Sequence, residues 1–483
     1  MRTPFFGSAY QSRSPNLADC RAINLIPELV EDKPAGKAVG AFYGAPGLVL
    51  QATVGAGPIR AMHVMAGVLY VVSGAELWSV TTALVATNLG PIPITTTGAG
   101  YLWNGTALTT IVLPFAAAVG PADIFVTMID NGQQLGIFVN ISSTYMDGFG
   151  LINQPGSSLF FQSDLLDLNT WDALNFGDAS TDPDIIVAID QIHRQIYVIK
   201  ENETEVWGNF GTSGFTFGRL ETIYIEQGAL CAASVARAGE DLLWLSRSKE
   251  GEAVILECKG YAPQRVSTHA IENAIQKYST VADAVAYAYQ QNGHQFYVIS
   301  FPSGDATWVY DRTDSALAGQ PMWHQRAAFD PLTGLMHRHW SNAHALFNAE
   351  TIVGDYRNGN LYTFDLDALT DNEAPRKWLR SWRALAQPVE APQRFNALRI
   401  DMQTGIGLPT PDENPLCVLR WSDDGGHIWS NEKFLPVGKI GETARRVIAR
   451  RMGSTRRNSG LDRIYELSST DQFPVALIGA ELE

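Results

Sequence analysis

Four groups of residues in this 483-residue chain have types and spacings that could carry chemistry. Ser422, Asp424, Gly426 and Trp429 stand in the order S-x-D-x-G-x-x-W of an Asp-box. In that pattern the carboxylate accepts backbone N–H groups across a turn while the indole packs beneath it, which predicts a rigid hairpin and no reacting group. His337, His339 and His344 form the one histidine cluster. Alternate residues of a strand share a face, so His337 and His339 could turn towards one metal, but no third ligand stands at a suitable spacing. The acid pairs Asp164/Asp167, Asp182/Asp184 and Asp365/Asp367 supply the residue type of glycoside hydrolysis, which needs two carboxyls roughly 5–9 Å apart. Aspartate also simply favours turns. No nucleophile elbow, phosphate loop or zinc-helix pattern occurs. The sequence therefore predicts a protein that is not an enzyme, with no catalytic residue, no metal and no cofactor.

The fourth group is basic: Arg445, Arg446, Arg450, Arg451, Arg456 and Arg457, followed by Arg463. Such a run serves an acidic partner or DNA phosphates, or it is a solvated face with internal ion pairs; phosphate contacts would make binding fall steeply with salt. It sits in a chain of net charge −15. Residues 376–463 carry 16 Lys/Arg against 9 Asp/Glu, and the remainder 19 against 41. Acidity on that scale argues against coating DNA, yet suits a conduit wall past which DNA must slide. The opposite signs suggest different partners for the two regions.

The elements that must position these residues read as strands. Hydrophobic residues make up 46% and charged residues 18%, with 43 Gly and 24 Pro, which supports several packed cores with many turns. Between residues 59 and 370 a unit recurs: strand, Gly- or Asn-bearing turn, a run such as Leu69-Tyr70-Val71-Val72, a second turn, and a strand with Trp or Tyr. Its copies are centred on Leu69–Val72, Ile137–Val139, Ile196–Ile199, Leu242–Leu245, Phe296–Ile299 and Ile352–Tyr356. Meanders repeated every 40–60 residues or so are the mark of propeller blades, the alternative being a plain β-sandwich built of hairpins. Irregular spacing predicts insertions, among them the loop-rich stretch Gln154–Asp184. Strand runs at Asn396–Met402, Leu416–Trp421, Arg446–Arg450, Arg463–Leu467 and Val475–Ile478 predict a second β domain. The expected organisation is all-β: an N-terminal arm or platform segment at 1–58, a propeller-like domain at 59–370, and a basic C-terminal platform at 371–483. Cys20, Cys231, Cys258 and Cys417 are too dispersed for a metal knuckle and read as free thiols. The first twenty residues lack the apolar core of a signal peptide, and Ile111–Val119 is too short to span a bilayer, so a product made in the cytoplasm is expected, with no membrane partner.

Several ordered motifs carry a resemblance to a family. Arg21-Ala22-Ile23-Asn24-Leu25-Ile26-Pro27-Glu28 follows R-x-x-N-x-x-P-E; Ala45-Pro46-Gly47-Leu48, then Gly67-Val68-Leu69-Tyr70-Val71-Val72, and finally Arg420-Trp421-Ser422-Asp423-Asp424-Gly425-Gly426 come after it. In this order they resemble the packaged-DNA stabilisation proteins, the tail hubs or nozzles of short-tailed bacteriophages, over essentially the whole length. The Arg-rich stretch Arg450–Leu461 is longer than the family pattern. The resemblance implies a virion tail protein in a hexameric ring below a dodecameric head-to-tail adaptor, with a needle or plug, spikes or fibres, and double-stranded DNA passing through without sequence recognition. A carbohydrate-binding or carbohydrate-cleaving propeller, as the Asp-box of sialidases suggests, is the alternative.

Overall fold

A propeller blade is a four-stranded sheet buried on both faces, so its middle strands must be apolar throughout instead of alternating. That is the state of Val68–Ser73, Leu135–Val139, Gln195–Lys200, Asp241–Arg247 and His294–Phe301, which are buried almost end to end. The structure, a computed structural model, describes all residues except 1, 15–17, 32–36, 117–118, 120–123, 248–252, 386–393, 409–412 and 455–462.

Among the described residues, seven blades form the propeller. They span Ile59–Pro91, Ala99–Val139, Ser143–Asp178, Ile186–Arg219, Ala236–Arg265, Val285–Phe329, and a seventh built from Ser341–Phe347, Glu350–Asp355 and Asn360–Asp365. The seventh is completed by Gly47–Thr53, a strand from the N-terminal segment, which pairs antiparallel with Asn360–Asp365 from Gly47↔Asp365 to Thr53↔Asn360. Gly47 is required there, because a Cβ would collide with the carbonyl oxygens of Ala368 and Thr370.

Two details depart from the sequence reading. The stretch Gln154–Asp184, expected as an inserted loop, contributes Leu159–Asp164 and the twelve-residue strand Asp167–Asp178 to the third blade. Its polar, exposed outer strand hid the pattern: only Leu168, Trp171 and Gly177 are buried along it. The second blade is permuted. Its order is Leu108–Thr110, Ala99–Trp103, Leu135–Val139, Val126–Asp130, so the strand nearest the axis comes third in the chain.

Six of the seven seams between blades hold their own apolar cluster, and the seam between the fifth and sixth shares that of the platform. Val72 and Leu77 meet Ile137 and Val139; Phe138 meets Phe161 and Trp171; Tyr289 and Phe296 meet Tyr362 and Phe364; and Ile59 and Val71 meet Phe347 and Leu361 to close the ring. Polar links fasten the inner strands: His63 Nε2 to Asp130 Oδ2 at 2.6 Å, Arg237 to Asp190 at 2.8 Å and Tyr287 to Ser341 at 2.7 Å. In the fourth blade Lys200 is wholly buried, bonded to Glu203, to Glu205 at 3.1 Å and to the Ala179 carbonyl at 3.0 Å. Lys200→Met strands both carboxylates without a cation. We expect a loss of about 3–5 kcal/mol in urea unfolding, and a change below about 1 kcal/mol would refute the pairing.

The remaining strands make a sandwich. One sheet runs Ala22–Ile23, Trp378–Arg383, Ile464–Ser469, Leu416–Ser422, Lys433–Pro436; the other runs Leu25–Leu29, Gly40–Gly44, Ala476–Leu482, Ala397–Met402, Val447–Arg450. Phe42, Trp382, Leu398, Leu419, Tyr465 and Leu477 fill the space between them. N-terminal residues thus supply strands to both sheets of the platform. The first sheet is continuous with the sixth blade, because Ile23 pairs with Gln325 on one side and Leu379 on the other.

Candidate functional site

The junction of propeller and platform is built by the R-x-x-N-x-x-P-E segment. Asn24 has φ 54°, a conformation that asparagine tolerates better than most residues. It turns the chain from one platform sheet into the other. Its side chain donates to the carbonyls of Ala327 and Lys377, both at 2.8 Å, and accepts from Ala327 N at 3.0 Å. Arg21 reaches Glu466 at 2.6 Å. Beside it, His294 Nδ1 and Asp311 Oδ2 lie 2.7 Å apart, Asp311 Oδ1 accepts from Asp314 N, and Asp314 Oδ2 accepts from Leu29 N at 3.1 Å. Burial, with the Asp311 carboxylate alongside, pushes the Asp314 carboxyl up to about 7. The hydrogen bond to Asp311 holds His294 above its ordinary value. Possible ligand atoms of these three residues lie within 4.8 Å of one another, but both carboxylates are engaged by hydrogen bonds, and that of Asp314 ties the N-terminal strand to the sixth blade. Sequence reading missed this group because its members are 17 residues or more from His294 and join only through the fold.

The four Asp-box residues come together in one tight turn. Ser422 Oγ donates to Asp424 Oδ1 at 2.7 Å and accepts from Gly426 N at 2.9 Å; Asp424 Oδ1 accepts from Ile428 N at 2.8 Å. These bonds, the Ile428 amide first, hold the Asp424 carboxyl below its ordinary value. Trp429 pairs across to Ser422 and lies under the Arg420 guanidinium.

The arginines divide. Arg450 in Val447–Arg450, the last strand of its sheet, and Arg445, Arg446 and Arg451 flanking it are exposed, and Arg445 pairs with Glu442 at 3.4 Å. Arg456 and Arg457 lie outside the described residues. Arg463 is different in kind: 1% exposed, it holds Asp423 through Nε and Nη2 at 2.5 and 2.8 Å, donates to the Met452 carbonyl, and stacks on Phe395 and Trp421. It is a strut of the platform core. Arg463→Met should cost about 3 kcal/mol, seen as a lowered unfolding midpoint, whereas Arg450→Met should leave the midpoint unmoved.

The histidines do not converge. His337 bonds Asp305 at the surface, buried His339 bonds Ser341 Oγ at 2.8 Å, and His344 stacks on Tyr287. Nor do the acid pairs meet: Asp164 and Asp167 face each other at a hairpin tip, Asp184 caps Asn202 N, and Asp365 accepts from Asp367 N, each in its own turn. Around the propeller axis a cavity of about 630 Å³ is lined by inner-strand residues including Arg60, Met62, Val126, Tyr287 and His344, with Asp283 its one carboxylate among the described residues.

Residues 1–369 match the family described as "Bacteriophage P22 Gp10, beta-propeller", and residues 378–483 match "Bacteriophage P22 Gp10, beta-sandwich". The chain belongs to the P22 Gp10 family. Gp10 proteins are phage tail hubs that stabilise packaged DNA, so this chain is a structural component of the virion and assembles with other virion parts. No helix among the described residues is long and apolar enough to cross a membrane.

Among curated proteins nothing matches this Gp10-family chain. Three solved structures that it resembles are distant from it. A glycoside hydrolase family 43 arabinoxylan arabinofuranohydrolase from Bacillus subtilis is 8% identical at TM-score 0.24, covering 89% of this chain and 96% of that one. A putative 6-phosphogluconolactonase from Bacteroides uniformis is 10% identical at 0.30, covering 70% and 98%. The WD40 domain of SCAP from fission yeast is 8% identical at 0.28, covering 88% and 92%. Likeness at this level carries no argument about what the Gp10-family chain does.

Proposed function

We propose that this protein forms a hexameric ring beneath the head-to-tail adaptor, where it closes the DNA exit channel together with a needle or plug. In that state it retains the packaged genome, and during ejection it conducts it; the chain performs no catalysis. Residues 59–370 act as the stiff body. Residues 371–483, with the N-terminal segment, act as the platform towards the adaptor, and spikes or fibres attach around the outside. The observation that carries this reading is the continuous sheet from the sixth blade through Ile23 into the platform. It makes propeller and sandwich a single unyielding piece, as resistance to confined DNA requires. The acidic remainder of the chain, 19 Lys/Arg against 41 Asp/Glu, supports a bore that repels the duplex and lets it slide. An obligate ring of this kind should bury more than about 2,000 Å² between neighbours. Negative-stain imaging of the purified chain mixed with its adaptor tests the proposal: rings are expected, and a chain that stays monomeric and never joins the adaptor refutes it.

A further inference from the structure

The two ends of the molecule carry opposite charge. The platform meets the propeller at the sixth and seventh blades, and both of its sheets run away from that junction. One ends in Lys433–Pro436 and the other in Val447–Arg450. These two terminal strands lie side by side, with Lys433 Nζ bonded to the carbonyl of Arg450. Arg445, Arg446, Arg450 and Arg451 stand exposed here, amid Phe434 and Ile440, which are 61% and 66% exposed. Charged side chains alone would be an ordinary guard on a sheet edge. An exposed aromatic and an exposed isoleucine among arginines have instead the composition of an interface core.

Across the seven-membered ring from that junction lies the third blade, with the fourth beside it. Residues 164–240 hold thirteen Asp/Glu against four Lys/Arg, and one of the four, Lys200, is buried and consumed by Glu203 and Glu205. Asp172, Asp178, Asp182, Glu201 and Glu221 are exposed on this side. Complementary patches at opposite ends of one chain make a heterologous, head-to-tail contact, the kind that generates a closed ring when the rotation between neighbours allows it.

We infer that the arginine edge of one copy docks onto the acidic third and fourth blades of the next copy. This rests on the ring reading above and names the surfaces that would build it. Phe434 and Ile440 supply the apolar centre of the contact, and the arginines supply its orientation and salt sensitivity.

The test uses the full chain and two charge reversals, Arg446→Glu/Arg450→Glu and Asp178→Lys/Asp182→Lys, all at exposed positions, with melting curves to verify folding. In sedimentation velocity the parent should self-associate at low salt and weaken at high salt. Each reversal should weaken association at least about tenfold, and mixing the two variants should restore it. Where assembly needs the adaptor, the same variants are read by negative-stain imaging, with incomplete rings expected for each alone. Rings or association unchanged by both reversals overturn this contact and leave the hub reading standing. A parent that neither self-associates nor joins a ring overturns both. Duplex DNA held by the parent and released by Arg446→Glu/Arg450→Glu, with self-association unaltered, assigns the edge to phosphates and overturns the contact.

Discussion

Replacing Leu48 with proline should destabilise the propeller on the order of 5 kcal/mol. Leu48 is 2% exposed, sits opposite Phe364 in the strand that completes the seventh blade, and packs with Ile26, Val353 and Tyr362. Gly47–Thr53 is flanked on both sides, by Asn360–Asp365 and by Thr370–Asp371, so it is no edge where proline could be accommodated. The Leu48 backbone is also engaged on the side of Thr370–Asp371, as a donor in the parallel pairing and through its carbonyl, which accepts from Asn372 N at 2.7 Å. Proline deletes that donor as well as the leucine side chain, and an unmet buried acceptor adds its own cost. Equilibrium unfolding in urea, followed by tryptophan fluorescence, measures the effect. A change below about 1 kcal/mol would mean that the ring does not depend on its closing strand.

The second large effect is acid sensitivity. Burial, with the Arg326, Arg376 and Arg357 charges adding to it, pushes His339 down to about 3, and burial pushes His344 down to about 4. His324, wholly buried, is also driven far below its ordinary value. Both His339 and His344 are thus neutral when folded and take up a proton near pH 6.5 when unfolded. Their contribution is complete above pH 6.5 and is lost as the pH falls towards 3–4, at about 1.4 kcal/mol per pH unit for each group. Between pH 6.5 and 4.5 each histidine should remove about 2 kcal/mol. Asp314 runs the other way: its folded value of about 7 stands above the unfolded 3.8, so its contribution is lost as the pH rises. The difference between variants is therefore the readout. His344→Phe keeps the stack on Tyr287, and His339→Asn keeps a hydrogen-bonding side chain beside Ser341. Each should flatten the dependence of unfolding free energy on pH in this window, and slopes equal to the parent's would refute the assignment.

Much of the architecture was legible because the middle strand of a blade is buried on both faces and reads as an uninterrupted apolar run. Leu69–Val72, Ile196–Ile199 and Phe296–Ile299 announce their blades in this way. The platform strands were equally plain from Leu416–Ser422 to Ala476–Leu482. The third blade was not, since Asp167–Asp178 is exposed along most of its length and supplies little of the apolar alternation that periodicity detects. Membership of Gly47–Thr53 in the seventh blade could not be read locally, because its partner lies some three hundred residues away. The same holds for the side chains. The Asp-box closes within eight residues and was recognisable as a turn. Arg463, one more arginine in a basic run by sequence, is set apart by Asp423 forty residues upstream. Lys200 and the His294–Asp311–Asp314 group likewise acquire their meaning only from tertiary neighbours.

Apart from the pairs Leu25–Leu29 with Gly40–Gly44 and Tyr10–Gln11 with Asp19–Cys20, the first 53 residues find their strand partners very late in the chain. Thr3 bonds Ala480, Ile23 pairs with Gln325 and Leu379, Phe42 pairs with Leu477, and Gly47–Thr53 pairs with Asn360–Asp365. At roughly 5–20 residues per second on the ribosome, that leading segment waits about 15–60 seconds for its counterparts to emerge. Contacts so distant in sequence also make the final step slow. Newly made chains therefore pass through a stage in which six blades can form while the circle stays open, and in that interval the unpaired strand Gly47–Thr53 is available to complete the seventh blade of a sister chain.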